Sequence, residues 1–148
     1  MKYYVMAIFV LLICGCTNSK IDERLIGTWS ETENSAKVIF TKDTVEMDGE
    51  KTQIYTESGR IISTKSGLPI GTYRFCTPEE FQNDAESFIN VSVLISAAGL
   101  TEEEAVARLE TQDDTSGRAY RYFRNMAESA GKGNVIELDG SGRYLQRR

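Results

Sequence analysis

Histidine is absent from this chain of 148 residues, and cysteine and proline are scarce, at three and two. Without histidine there is no Ser-His-Asp or Cys-His relay, no common zinc site, and no side chain that ordinarily titrates near neutrality to act as a general base. Catalysis would have to rest on carboxylates, Lys, Tyr or a lone thiol, and no nucleophile stands at a recognisable spacing from a base. The chain therefore reads as a non-enzyme with no cofactor and no metal. Positive charge is also in short supply. Lys and Arg number 17 against 22 Asp and Glu, a net charge of -5, which argues against a nucleic-acid partner because phosphate binding relies on concentrated Lys and Arg. No apolar run approaches the ~20 residues that a membrane-spanning helix needs. What is present, 41% hydrophobic and 26% charged residues, is the composition of a folded globule.

The longest apolar stretch is YYVMAIFVLLI, from Tyr3 to Ile13, behind the single positive charge of Lys2. That is the layout of a secretory signal. It ends in Ile13-Cys14-Gly15-Cys16, which resembles the bacterial lipobox: an aliphatic residue, a small residue, Gly or Ala, then the cysteine that is acylated and becomes the first residue of the mature protein. A thiol suits this role because its thiolate is a strong nucleophile. Two or three acyl chains anchor a protein stably where one holds it only marginally. The competing readings are a plain secretory signal and a Cys-x-Cys metal or redox site; the second lacks partners, because Cys76 is the only other cysteine. The resemblance implies a lipoprotein of the bacterial cell envelope, acylated at Cys16 with palmitate-like chains. No aspartate follows Cys16, which in the sorting rule carried by the resemblance favours the outer membrane, facing the periplasm. The chain divides accordingly into a signal over 1–15, a lipidated tether over 16–24 and a single β-rich domain over 25–148.

Within that domain, LIGTWSE, KVIFT, TVEMD, KTQIYTE, RIISTK and PIGTYRF are short stretches rich in Val, Ile, Thr and aromatics, the composition of strands. Val45 and Met47 share one face of TVEMD, and Ile54 is the one aliphatic on its face of KTQIYTE. Asp48-Gly49 and Ser58-Gly59 mark tight hairpin corners. About six antiparallel strands in up-and-down order follow. At Thr77-Pro78-Glu79-Glu80 a capping hydroxyl, a proline at the first helical position and a glutamate at the third start a helix. Phe81, Ala85, Phe88, Val91 and Ile95 then recur at helical spacing, although FINVSVLIS is β-branched enough to be a strand. Thr101-Glu102-Glu103-Glu104 repeats the capping box ahead of Ala105, Val106 and Leu109. A third helix is expected from about Ser116 to Ala130, with Ala119, Phe123, Met126, Ala127 and Ala130 on one face and a stop at Gly131; a strand through AYRYFRN is its rival. NVIEL, the turn DGSG and RYLQRR form a last hairpin. The fold class is α+β: a small antiparallel barrel or strongly curved sheet with a helical insertion over about 78–130, before the last hairpin.

Gly27-Thr28-Trp29, in the setting LIGTWS followed by KVIFT, is similar to the Gly-x-Trp start of lipocalins and bacterial lipocalin-like lipoproteins. The resemblance implies an up-and-down barrel plugged at one end by Trp29, with an Arg of the last strand packed across the indole. Arg143 and Arg147 both lie on that strand, and the sequence does not choose between them. The alternative role for Trp29 is simply that of a large core residue at a strand start. The barrels of that family hold small apolar ligands, which makes Trp29, Tyr73, Arg143 and Arg147 candidate ligand-binding or plug residues. Ile26-Gly27-Thr28-Trp29 is echoed by Ile70-Gly71-Thr72-Tyr73, as symmetric corners of one barrel would be.

Other features weigh toward structure. Glu102, Glu103 and Glu104 suit the first turn of a helix, where its dipole favours carboxylates, and Asp139-Gly140-Ser141-Gly142 lacks the Asp-x-Asp-x-Asp-Gly spacing of a calcium loop. Cys76 reads as a small buried hydrophobe or, failing that, a reactive thiol. Arg118, Arg121 and Arg124 recur every three residues and, with Tyr120 and Tyr122, have the composition of a contact surface; the alternative is a solvated face balanced by Asp113 and Asp114. The expected function is that of a membrane-anchored, non-enzymatic binding module for a small apolar ligand or an envelope protein. The alternative is an inhibitor or immunity protein whose acidic domain blocks a basic toxin or lytic enzyme.

Overall fold

The computed structural model describes residues 20–31, 36–96 and 99–148. The signal, Cys14 and Cys16 lie outside the described residues. Eight strands run β1 (Gly27–Ser30), β2 (Lys37–Phe40), β3 (Thr44–Met47), β4 (Glu50–Glu57), β5 (Arg60–Ser63), β6 (Pro69–Phe75), β7 (Val135–Leu138) and β8 (Arg143–Arg147), with α1 (Pro78–Ile95), α2 (Glu102–Thr111) and α3 (Thr115–Gly131) between β6 and β7. Every strand pairs antiparallel with the next, and β8 closes on β1 through Trp29 opposite Arg147 and Ser30 opposite Gln146. The result is a closed up-and-down barrel, lipocalin-like in strand order, with the helices inserted before the last hairpin.

Most strands are only four residues long, so closure depends on stagger. β4 pairs with β3 through Glu50–Gln53 and with β5 through Ile54–Glu57. β6 likewise contacts β5 with its first half and β7 with Tyr73, Arg74 and Phe75. The corners at Asp48-Gly49 and Ser58-Gly59 both take positive φ at both residues, the conformation that two-residue hairpin loops require. Alternation along the strands sends Val38, Phe40, Val45, Ile54, Ile136, Leu138 and Leu145 inward, where they form one buried cluster with Ile21, Leu25, Trp29 and Ile61.

The first strand is shorter than LIGTWSE suggests. Asp22 caps a 3₁₀ turn over Glu23–Leu25, its carboxylate accepting from the Arg24 N–H, and Leu25 is buried in the barrel instead of standing on a strand. Ile21, inside the stretch expected as a tether over 16–24, belongs to the core.

All three helices form where expected, and AYRYFRN and all of FINVSVLIS up to Ile95 are helical. Their capping signals and 3.6-residue spacing outweigh β-branched content, because burial of a stripe contributes more than single-residue propensity. The stop for α3 is displaced: Gly131 is its last residue, and the left-handed glycine is Gly133. The helices pack beside the barrel. Phe81, Met126, Ala127 and Ala130 meet Cys76, Val135 and Tyr144 on the outer wall, with the Phe81 and Tyr144 rings edge to face at 5.1 Å. A second cluster of Ala85, Leu109 and Tyr120, with Phe88, Ile89, Val106 and Phe123 around it, joins the helices to one another without barrel residues. β7 is therefore buried on both faces. Its outward Glu137 accepts from Arg74 Nε at 2.6 Å and from the Gly142 N–H at 2.9 Å, while Arg74 also pairs with Glu80 of α1 at 2.8 Å.

Where α3 starts against the end of α2, Gly117 leaves no room for a side chain: a Cβ there would lie 2.1 Å from the Gln112 carbonyl oxygen. Gly117→Ala should destabilise the domain by about 1–3 kcal/mol, the usual range for overpacking, read as a lowered urea midpoint. An unchanged midpoint would show that the α2–α3 corner yields without cost.

Candidate functional site

The end of the barrel nearest the N-terminus is built around Trp29, which is fully buried. Its indole N–H donates to the Leu25 carbonyl at 2.7 Å, so the strand that carries it also holds the 3₁₀ turn in place. The Arg147 guanidinium lies over the indole, 4.7 Å from its centroid, and Arg147 Nη2 donates to the Arg24 carbonyl. Arg147 is thus the arginine that crosses the indole, as the Gly-x-Trp resemblance implied for one of the two candidates. Phe75 stands edge-on to Trp29 at 6.3 Å and carries the Arg24 guanidinium 4.4 Å from its own centroid. Two cations and two rings therefore meet at this end of the barrel, each cation set against a π face and the two rings edge to face. Gly27 completes it: its φ of 145° is open to glycine, and Arg147 Nε lies 3.8 Å from where its Cβ would stand.

Tyr73 joins this end through its hydroxyl, which donates to Asp22 Oδ2 at 3.2 Å. The Arg24 guanidinium hydrogen-bonded to Asp22 holds that carboxyl below the ordinary aspartate range, against the opposing effect of burial. Burial raises the Tyr73 hydroxyl. The echo between Trp29 and Tyr73 reflects a shared destination and no symmetry, because Ile26 is half-buried and Ile70 is 43% exposed. Arg143 sits further along the β1–β8 seam, in an ion pair with Glu31. Sequence reasoning missed Asp22, Arg24 and Phe75; the one available signal was Asp22 as a capping residue ahead of Leu25.

The arginine row has a role inside the helical block. Arg121 Nη1 donates to the carbonyls of Leu109, Glu110 and Gln112 at 3.0, 3.0 and 2.8 Å, placing a cation on the C-terminal end of α2, where its dipole favours one. Arg124 pairs with Glu110 and Arg118 with Asp113. Tyr120 is not on a contact surface: it is 6% exposed and packs with Ala85 and Leu109, because α3 turns that side to its neighbours. Tyr122 is half-buried beside Phe123, 5.2 Å between ring centroids.

Cys76 is 4% exposed, and burial pushes its thiol up to about 11, so it stays protonated at neutral pH and packs as a small apolar group. Thr101 and Glu104 cap α2 reciprocally, and Asp139 holds the last hairpin by accepting from the Thr72 N–H at 2.9 Å. Among the described residues no group of three acidic or cysteine side chains is placed to hold a metal ion, and no helix is long and apolar enough to cross a membrane. Two open recesses stand out. One of about 670 Å³ lies between α1 and α3, lined by Gln82, Ala85, Ile89, Tyr120, Arg124 and others. The other, of about 700 Å³, lies beside the plug, lined by Lys20, Ile21, Glu23, Ile26 and Lys42. Compared with protein-family models, with curated proteins and with solved structures, the chain matches none.

Trp29 is the only tryptophan, so its fluorescence reports on the plug alone. Arg147→Ala should red-shift the emission and lower stability by about 1–2 kcal/mol, roughly 3–8 °C in Tm for a domain of this size; unchanged emission would mean that the cation does not shield the ring. Because the Asp22 carboxyl is held low in the folded state, its contribution is complete above the unfolded value and fades as pH falls through the folded one. Trp29 emission should therefore change below about pH 4, and Asp22→Asn should remove that acid step; an identical acid profile in the variant would detach Asp22 from the plug's pH response.

Proposed function

We propose that the chain is an exported bacterial lipoprotein, acylated at Cys16 and held at the outer membrane facing the periplasm, whose domain is a non-enzymatic binding module for an envelope protein. The observation that carries the choice of a protein over a small apolar ligand is the filled barrel. Trp29, Phe40, Leu25, Ile54, Ile136, Leu145, Val38 and Val45 are all under 2% exposed, and they converge on the barrel axis as one cluster. A ligand seated there would have to displace close-packed side chains, at a cost of several kcal/mol. Recognition then falls to the outer surface. The net charge of -5 favours a basic partner, and a toxin or lytic enzyme held off by an immunity protein is one such partner.

The anchor also gives the domain an orientation. Cys16 and Lys20 are four residues apart, at most about 14 Å of extended chain, and the Lys20 carbonyl accepts from the Thr56 N–H at the plugged end of the barrel. In this reading the Trp29 end faces the bilayer, and the far hairpins and the outer flank of the helical block face the periplasm.

Cells grown with radiolabelled palmitate should incorporate label into the full chain and none into Cys16→Ser, which should leave the membrane fraction. Label retained by the variant would overturn the anchor. Protein isolated from membranes should release no stoichiometric apolar compound on denaturation, whereas crosslinking in cells should yield a protein adduct. A released ligand would return recognition to the barrel.

A further inference from the structure

The apolar stripe of α1 does not stay covered. Phe81 and Ala85 are buried and Phe88 is half-buried, but Val91 and Ile95, which continue the same spacing, are 51% and 76% exposed, and Leu94 between them is 83% exposed. The cluster joining the three helices takes Ala85, Phe88 and Ile89 from α1 and nothing beyond them. The last two turns of α1 lie outside it. Leu94 and Ile95, three and four residues after Val91, lie on the same side of the helix as it does, and a contiguous group of large exposed apolar side chains on a small domain marks a contact.

We propose that this face of α1 is where two copies of the chain meet, in a two-fold contact through Val91, Leu94 and Ile95. Charge distribution selects that occupant. Residues 87–100 contain no charged side chain, in a chain that is 26% charged. A two-fold contact sets each patch against itself, so in a protein of net charge -5 the surface free of like-charge repulsion is the one on which copies can meet. A bilayer is a poorer match: interfacial helices flank their apolar face with Lys and Arg, and residues 78–100 contain neither, whereas Glu79, Glu80, Asp84 and Glu86 lie on the same helix. A basic protein partner would be steered to the acidic surface of the domain, and residues 87–100 offer it no charge.

The test uses the full chain in its membrane. Leu94→Cys should form a disulfide-linked species of twice the mass under mild oxidation, because Cys76 is buried, while Lys51→Cys, exposed on β4 away from the patch, should not. In neutral detergent the purified chain should have the protein mass of a dimer, and Leu94→Glu should raise its dissociation constant at least about tenfold, as loss of a central interface residue does. Since Leu94 is largely exposed, the variant monomer should still unfold cooperatively, its melting temperature falling only by what loss of the partner copy removes. A monomeric wild-type chain, equal crosslinking from both cysteines, or a dimer indifferent to Leu94→Glu would each overturn the proposal. So would a monomer whose unacylated Cys16→Ser form floats with phosphatidylcholine vesicles and loses that on Leu94→Glu, which would give the face to the bilayer.

Discussion

The indole of Trp29 is the point at which three separated parts of the chain are fastened. Its own strand begins the barrel; its N–H holds the 3₁₀ turn by the Leu25 carbonyl; its face carries Arg147 from the last strand. Without that contact the β1–β8 seam would rest on very few paired residues, Trp29 with Arg147 and Ser30 with Gln146, supported by the Arg148 N–H donating to the Thr28 carbonyl at 3.0 Å. A sheet of short strands does not close on backbone hydrogen bonds alone, since the ends of the seam are exposed to competition from water. The group of Arg24, Phe75, Trp29 and Arg147 closes one end of the barrel and places both guanidinium groups against aromatic faces, with Arg147 Nε buried there without a hydrogen-bond partner.

Closure of the barrel is independent of the helices, which explains how so large an insertion fits. Residue 76 follows β6 directly and residue 134 precedes β7, and the Cys76 N–H donates to the Val135 carbonyl at 3.0 Å. The excursion therefore leaves and returns at one place, and β6 and β7 pair as neighbouring strands of a meander would. The helical block is then fixed against the wall by a buried carboxylate. Glu137 points out of the barrel, where it would be costly uncompensated, but Arg74 and the Gly142 N–H satisfy it, and Arg74 reaches on to Glu80 in the first turn of α1. Glu80 itself is held below the ordinary glutamate range although burial acts the other way, because the Thr77 N–H and Arg74 both favour its charged form.

The fold was legible wherever the signal was local. Strand composition, the paired turns at Asp48-Gly49 and Ser58-Gly59, and the capping boxes at Thr77 and Thr101 are contacts between residues three or four apart, and each appears in the structure as the sequence suggests. The site was legible only in part. Gly-x-Trp pointed to a plug crossed by an arginine, but the choice of Arg147 over Arg143 is set by barrel stagger, which places Arg147 opposite Trp29 and Arg143 opposite Leu138. Nothing in the spacing of two arginines on one strand encodes that. Arg121 shows the same limit. Its period with Arg118 and Arg124 suggested a surface, whereas its position over the end of α2 depends on how two helices meet at Gly117.

Tertiary cover likewise separates the two kinds of apolar residue in α1. Helical spacing from Phe81 to Ile95 identifies one stripe, but spacing says nothing of how far the covering elements extend. Where α2 and α3 pack on it, the stripe becomes core; beyond that cluster, identical chemistry becomes surface. A barrel filled to its axis leaves the molecule few apolar places to offer a partner. In this chain the uncovered turns of α1, set on a block that the barrel does not need for closure, are free to serve contact without disturbing the plug on which the barrel depends.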